Sequence, residues 1–356
     1  MIACLAGPAA AEPFRIATYN TELGRDGPGL LLRDILSGED ADVLSVGGVI
    51  AEVAPDVLVL QGFDHDHGLV ALGAFADHLA SLGLSYPHRV ALAPNSGMAT
   101  GIDLDGDGRL GEPEDAQGFG WFAGAGGMAV LARVPVLGVR DFSHLLWADL
   151  PGNLIAADTL PAGAGAVQRL SSHGHWVVTF EGPGGVPFDL WTYFATPPVF
   201  DGPEDRNGRR NHDETAFWLR YLEGAFGAVP EGPFVLAGDA NLDPADGDGR
   251  GAAMRALLTH ARVQDPAPRS DRAVAAAAAE AGANAGHRGD PALDTANWSD
   301  VPGPGNLRVD YVLPSREWQV VGAGVVWPTP EASGGDGDHG SRHGLVWADL
   351  VLQGTP

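Results

Sequence analysis

The sequence predicts one α/β domain of at least two layers. Three observations predict it: short β-type runs recur along the 356 residues, helical patterns sit between some of them, and no compositional break divides the chain. Hydrophobic residues make up 45% of the sequence, enough for a packed core and too many for a wholly disordered chain. The first β-type run is "FRIATYN" at 14–20. Helical patterns at 29–37 and 42–53 precede "DVLVLQ" at 56–61, and another at 69–83 follows it. Next come "GMAVLA" (127–132), "HWVVTF" (175–180) and "FDLWTYFA" (188–195), rich in the branched and aromatic residues that suit a pleated surface. A helix over 209–226 aligns Trp218, Tyr221, Leu222, Ala225 and Phe226 in one stripe. "PFVLAG" (233–238), "LRVDYVL" (307–313) and "GLVWADLVL" (344–352) complete the strands, and no internal repeat is present. Two segments read as insertions: the Gly/Asp-rich 95–126, and 266–305, which holds "AVAAAAAEAGANAG". Alanine favours a helix in the second, but no amphipathic stripe anchors it, so mobility is expected there.

The charge balance narrows the function. Asp and Glu number 46 against 21 Lys and Arg, every one of the latter an arginine, for a formal net charge of −25. Such a surface disfavours a broad grip on nucleic-acid phosphate without excluding DNA, and a polyanion would need a locally basic or metal-filled cleft. The opening "MIACLAGPAAAEPF" looks like the tail of a secretory signal, so a periplasmic or secreted protein is expected, with the domain over 13–354. The alternative is a disordered cytosolic N-terminus. Cys4, the sole cysteine, would leave with the signal, so no disulfide is expected. No apolar run is long enough to span a bilayer, and a monomer without a membrane partner is expected.

Strand ends carry the chemistry. "TYN" ends in Asn20 and leads to Glu22; "LAGDAN" supplies Asp239 and Asn241; "LRVDYVL" contains Asp310; and "GSRHGLVWADL" places His343 at the entrance to the last strand. Side chains at i and i+2 share a strand face, so each pair can point at one site. Carboxylates, carboxamides and one imidazole are the set that holds Mg²⁺ or Mn²⁺ and activates water against a phosphate ester. Asp310 is the natural partner to orient His343. After the second strand, "DHDH" reads as a solvated turn for His65 and His67, with Asp64 the best placed of its acids and Asp66 second. The loop "DLDGDGRLGEPE" matches a calcium-loop pattern through Asp103, Asp105, Asp107, the Arg109 carbonyl and Glu114. It predicts a lone structural Ca²⁺ that orders the insertion.

The ordered series "RIATYN", "PDVLVLQ", "GGMAVLARVPV", "LAGDAN", "RVDYVLPS" and "SRHGLVWADL" resembles the endonuclease/exonuclease/phosphatase superfamily over residues 14 to 352. The resemblance implies a deoxyribonuclease-I-like four-layer α/β sandwich, two packed mixed β-sheets flanked by helices. It implies a metal-dependent phosphoric ester hydrolase, acting on a small organic phosphate or a nucleic acid. By position, Asn20 would bind metal or phosphate, Asp239 would bind metal or position the nucleophile, Asn241 would stabilise the phosphoryl group, and His343 would be the base oriented by Asp310. Three positions depart from the pattern: Gly62 stands where a metal-binding Glu is usual, Phe194 where a histidine is, and Arg342 where an acid precedes the last histidine. Glu22 and Asp64 are the candidate replacement metal ligands. Arg206, Arg209 and Arg210, with Arg25 in another loop, would either fork onto phosphate or neutralise neighbouring acids. The competing expectation is a catalytically silent, calcium-stabilised binding or scaffolding domain on the same fold.

Overall fold

The computed structural model describes residues 12–156, 160–280, 282–298, 303–327 and 340–353. The signal-like residues 1–11, Cys4 among them, lie outside the described residues. In chain order the elements are β1 (Phe14–Asn20), α1 (Leu30–Ser37), α2 (Ala41–Val53), β2 (Val57–Phe63), α3 (Val70–Ser81), β3 (His88–Val90), β4 (Gly127–Ala132), β5 (Val136–Asp141), β6 (Gly174–Glu181) and β7 (Pro187–Phe194). There follow α4 (Arg206–Leu222), β8 (Phe234–Asp239), α5 (Ala252–Leu258), α6 (Asp271–Glu280), β9 (Ala296–Asn297), β10 (Asn306–Leu307), β11 (Asp310–Pro314), β12 (Trp318–Val326) and β13 (Leu345–Leu352).

Two mixed sheets form, ordered β12-β13-β1-β2-β4-β3 and β11-β8-β7-β6-β5. Each contains one parallel pair, β1 with β2 and β7 with β8, and is otherwise antiparallel. The sheets pack face to face, Ile16, Val57, Val59 and Val130 meeting Val178, Leu190, Val235 and Val312. Helices α1 to α3 cover the outer face of the first sheet, where Leu58, Leu60 and Leu131 meet Val46, Ile50, Phe75 and Leu79. Helices α4 and α5 cover the second, through Trp218, Tyr221 and Met254 against Trp191 and Leu236. Burial on both faces is why the strands read as nearly continuous apolar runs. The result is the four-layer sandwich that the resemblance implied.

Strand alternation then places the site. The inward residues of β1 are Ile16, Thr18 and Asn20; of β2, Val57, Val59 and Gln61; of β8, Val235, Ala237 and Asp239; and β11 begins with inward Asp310. At one end of the inter-sheet seam the inward side chains therefore turn from apolar to polar. Phe194, Asp239 and Asp310 lie in one register row across β7, β8 and β11.

Two expectations need correction. Mobility does not describe residues 271–280: they form α6, whose fully buried Ala273 joins the inter-sheet core because alanine is small enough to sit close. The stripe forecast over 209–226 extends past its helix, which ends at Leu222; Phe226 lies beyond yet still stacks on Phe217 at 4.8 Å. No described helix is long and apolar enough to cross a membrane.

Candidate active site

Four distant segments meet at the polar end of the seam. Asn20, closing β1, donates through Nδ2 to Asp239 Oδ2 at 2.8 Å and lies 3.4 Å from His343 Nε2. His343 Nδ1 is 2.9 Å from Asp310 Oδ2, which also accepts the Thr295 hydroxyl at 2.9 Å. That hydroxyl in turn accepts the main-chain N–H groups of Val309 and Asp310 at 2.9 and 3.0 Å, so Thr295 fixes the carboxylate and its strand together. Ser341 donates to the Asn20 carbonyl at 2.6 Å and accepts the His343 N–H at 3.0 Å, which sets the backbone of the imidazole. Asp239 Oδ1 accepts the Asn241 N–H at 2.7 Å, and Asn241 Nδ2 donates to Ala195 O at 2.9 Å. From α4, Asn211 donates to the carbonyls of Thr196 and Ala240 at 2.7 and 2.8 Å, holding the loops after β7 and β8. Trp298 stands edge-to-face against His343, ring centres 5.3 Å apart.

Burial makes these charges matter, because Asp239 and Asp310 are fully buried and His343 is 2% exposed. Desolvation alone would lower the imidazole pKa, but the Asp310 and Asp239 carboxylates outweigh it and push His343 up to about 9. Burial, reinforced by the Asp310 charge, raises Asp239 to about 7. An oriented imidazole between two carboxylates, flanked by two carboxamides, can take a proton from water beside an anionic ester.

A family model described as the Endonuclease/Exonuclease/phosphatase family matches residues 17–343. The chain belongs to the endonuclease/exonuclease/phosphatase family. Its members are generally hydrolases acting on phosphate esters. Solved structures share the fold at low identity. An endonuclease/exonuclease/phosphatase from Beutenbergia cavernae is 20% identical with TM-score 0.55, the match covering 97% of this chain and 73% of that one. A family protein from Leptotrichia buccalis is 15% identical with TM-score 0.52, covering 95% and 100%. One from Bacteroides vulgatus is 14% identical with TM-score 0.51, covering 96% and 100%. No curated protein matches the chain significantly.

The three departures from the family pattern have structural consequences. Gly62 is in the left-handed region (φ 65) at a bulge in β2, and a Cβ there would fall 2.5 Å from Asn20 Oδ1. No side chain fits unless Asn20 moves. Gly62→Ala is therefore expected to destabilise the protein by about 1–3 kcal/mol through strain and the clash, read as a lower midpoint in urea; an unchanged midpoint would show that the site relaxes freely. Phe194 stacks on His173 at 3.9 Å, and burial lowers that imidazole to about 3, so it stays neutral. Arg342 binds the Glu22 carboxylate through its main-chain N–H at 2.7 Å, Nε at 2.9 Å and Nη2.

Neither proposed replacement ligand is free. Glu22 is committed to Arg342, whose hydrogen bonds outweigh burial and hold the carboxyl below its usual range. Asp64 accepts the N–H groups of Arg25 and Gly126 at 2.9 and 2.8 Å, tying two loops together. Asp239, Asp310 and His343 do offer ligand atoms within 4.8 Å of one another, so a cation has an acidic group to approach. Yet only Asp310 Oδ1 among those carboxylate oxygens lacks a hydrogen-bond partner among the described residues. A hard cation such as Mg²⁺ seeks about six oxygens. With glycine at 62 and arginine at 342, the donor set does not fit a carboxylate cage.

The arginines read as phosphate forks are also occupied. Arg25 pairs with Asp34 and Asp40 at 2.9 and 3.1 Å. Arg206 reaches Leu104 O and Gln168 Oε1 at 3.3 and 3.1 Å, and Arg209 reaches Glu204 O at 3.0 Å. Buried Arg210 donates to the carbonyls of Leu170, Arg169 and Ser171. In "DHDH", Asp66 accepts N–H groups of Val70 and Ala71 at 2.8 Å each and so opens α3, while His67 is exposed as expected.

In the acidic loop, Asp103 and Asp105 converge with Asp115, not with Asp107 and Glu114. Pro113 opens a short 3-10 turn there, and Asp115 accepts the N–H groups of Leu104 and Gly111 at 2.7 and 2.9 Å. The expected twelfth-position ligand is thereby shifted by one residue.

Proposed function

We propose that this chain hydrolyses a phosphate ester by water attack at the His343 cluster. The observation that supports this reading most is the single hydrogen-bonded network joining Asn20, Asp239, Asp310 and His343, which come from three strands and a loop. With Asp310 accepting from Nδ1, His343 Nε2 is the face that takes the water proton. The water oxygen forms a bond to phosphorus. The bond to the ester oxygen breaks, the leaving group keeps the electron pair and is protonated, and one water is consumed per ester cleaved. Asn20 and Asn241 both donate to Asp239 Oδ2, and on substrate binding either would exchange that bond for one to a phosphoryl oxygen as charge develops on it. Family membership suggests Mg²⁺ or Mn²⁺, yet the oxygens of Asp239 and Asp310 do not complete a cage for either, so the water attack is assigned to the protein's own groups.

The substrate we propose is a small soluble phosphodiester or phosphomonoester. The net charge of −25 and the occupied arginines weigh against an extended duplex. The test compares p-nitrophenyl phosphate, bis-p-nitrophenyl phosphate and supercoiled plasmid, each with EDTA, Mg²⁺ or Mn²⁺. Turnover of either chromogenic ester above plasmid nicking supports the reading. Efficient nicking with inert small esters would reverse the substrate assignment. The silent-domain alternative draws on the Glu22–Arg342 pair and gains if every substrate stays intact.

Asp103, Asp105 and Asp115 support a structural Ca²⁺ in the insertion. Added Ca²⁺ should raise the melting temperature of the wild type by several degrees, an effect that Asp105→Ala removes. A melting curve indifferent to Ca²⁺ would refute it.

A further inference from the structure

We infer that Arg342 provides the fixed positive charge for the phosphoryl group at this site, in the place where a carboxylate-held metal ion would otherwise act. The inference rests on the phosphoesterase reading. An anionic ester approaching Asp239, Asp310 and Glu22 meets concentrated negative charge and needs a cation beyond His343 to offset it. The arginines that the sequence marked for that duty are bound elsewhere, Arg25 to Asp34 and Asp40, Arg206 and Arg209 to protein oxygens. Arg342 directly precedes His343, and its side chain is 61% exposed.

Its placement is built rather than incidental. Glu22 grips the main-chain N–H, Nε and Nη2 together, which orients the guanidinium plane and leaves Nη1 without a hydrogen bond among the described residues. Glu22 itself is held in the left-handed region (φ 49), where its N–H donates to Asn20 Oδ1 at 3.2 Å. Asn20 meanwhile donates to Asp239. One chain of hydrogen bonds thus runs from the guanidinium through Glu22 and Asn20 to Asp239.

Gly62 completes the argument. Asn20 Oδ1 lies 2.5 Å from where a Cβ at 62 would be, so the space for a side chain there is already filled. Relative to the family pattern, a carboxylate is gone at 62 and another is exchanged for a guanidinium at 342. Losing two negative charges and gaining a positive one removes the reason to hold a divalent ion and supplies a monovalent one in its stead. Arginine suits the task because its planar N–H fork matches phosphate oxygens and stays charged at any working pH.

The experiment uses the full chain after EDTA treatment. Binding of inorganic phosphate is measured by calorimetry, and turnover of bis-p-nitrophenyl phosphate is followed with and without Mg²⁺ or Mn²⁺. Wild type should bind phosphate and turn over without metal. Arg342→Gln should weaken phosphate binding at least about tenfold and lower kcat/KM about 10²-fold, with Arg342→Lys in between. Arg342→Asp, which places an acid beside Glu22, should bind Mn²⁺ where wild type does not. Phosphate affinity unchanged in Arg342→Gln, or wild-type turnover that requires added metal, would overturn the inference while leaving the hydrolase reading intact. An inert wild type that still binds phosphate through Arg342 would refute the hydrolase reading and retain the arginine's contact.

Discussion

Asp310→Asn is expected to lower kcat by about 10²- to 10³-fold with the fold preserved. The carboxylate accepts from His343 Nδ1 at 2.9 Å, and this fixes the proton on Nδ1 so that Nε2 can serve as the base. Asparagine has nearly the same shape, and with its oxygen in the place of Oδ2 it keeps both partners that meet there, the Thr295 hydroxyl and the imidazole N–H. It brings no charge, however, so the imidazolium formed when His343 takes a proton from water loses its carboxylate partner. Loss of the negative charge also removes the larger of the two attractions that keep the imidazole protonated in the resting protein. Circular dichroism and the urea midpoint serve as controls for folding. A variant within tenfold of wild type would show that Asp310 does not orient the base.

The second large effect is on pH dependence. A base must be neutral to act, and His343 is held as imidazolium up to about 9, so kcat/KM should rise as pH increases from 6 to 9. Asp239 loses its proton at about 7 in the same network, and such closely spaced groups titrate as a unit, so the rise should be broad. Asp310→Asn should move the limb to lower pH even as it lowers the plateau. Stability carries the opposite sign. Both groups bind their protons more tightly folded than unfolded, since His343 is raised from 6.5 and Asp239 from 3.8. Their contribution is therefore fully present below the unfolded pKa values and is lost as pH rises through the folded ones. Unfolding free energy should fall by on the order of 1–3 kcal/mol between pH 6 and 10, a loss that His343→Ala largely removes. A flat stability profile would contradict the buried ion cluster.

The central strands and the α/β class were legible because double-sided burial writes unbroken apolar runs into β2, β4 and β8, the four layers came only with the resemblance, and the strand order was not read from the sequence. Asp239, Asp310, Asn20 and His343 were legible because a polar residue closing or opening such a run has few other reasons to be there. β12 was not, since Gly322 and Gly324 depress its strand signal, and those glycines are what let Trp347 of β13 lie against the strand. The alternation rule failed for the residues two past each strand end. Glu22 and Asn241 both adopt positive φ, so the chain turns where a shared strand face had been assumed. Thr295, Ser341 and Asn211 were invisible because hydroxyls and amides are common everywhere, and only the fold shows which backbone groups they catch. Within 266–305, Thr295 donates to Asp310 and Ala296 bridges His343, contacts that the low-complexity run gave no sign of. Arg342 was visible as a departure, but its meaning depends on its contact with Glu22, 320 residues away in sequence.

The most direct test of the account is the rate of p-nitrophenolate release from bis-p-nitrophenyl phosphate at pH 9 by the full chain and by His343→Ala. The account predicts steady turnover by wild type and a loss of about 10²- to 10⁴-fold in the variant. Equal rates in the two proteins, or no turnover by wild type under any metal condition, would contradict it.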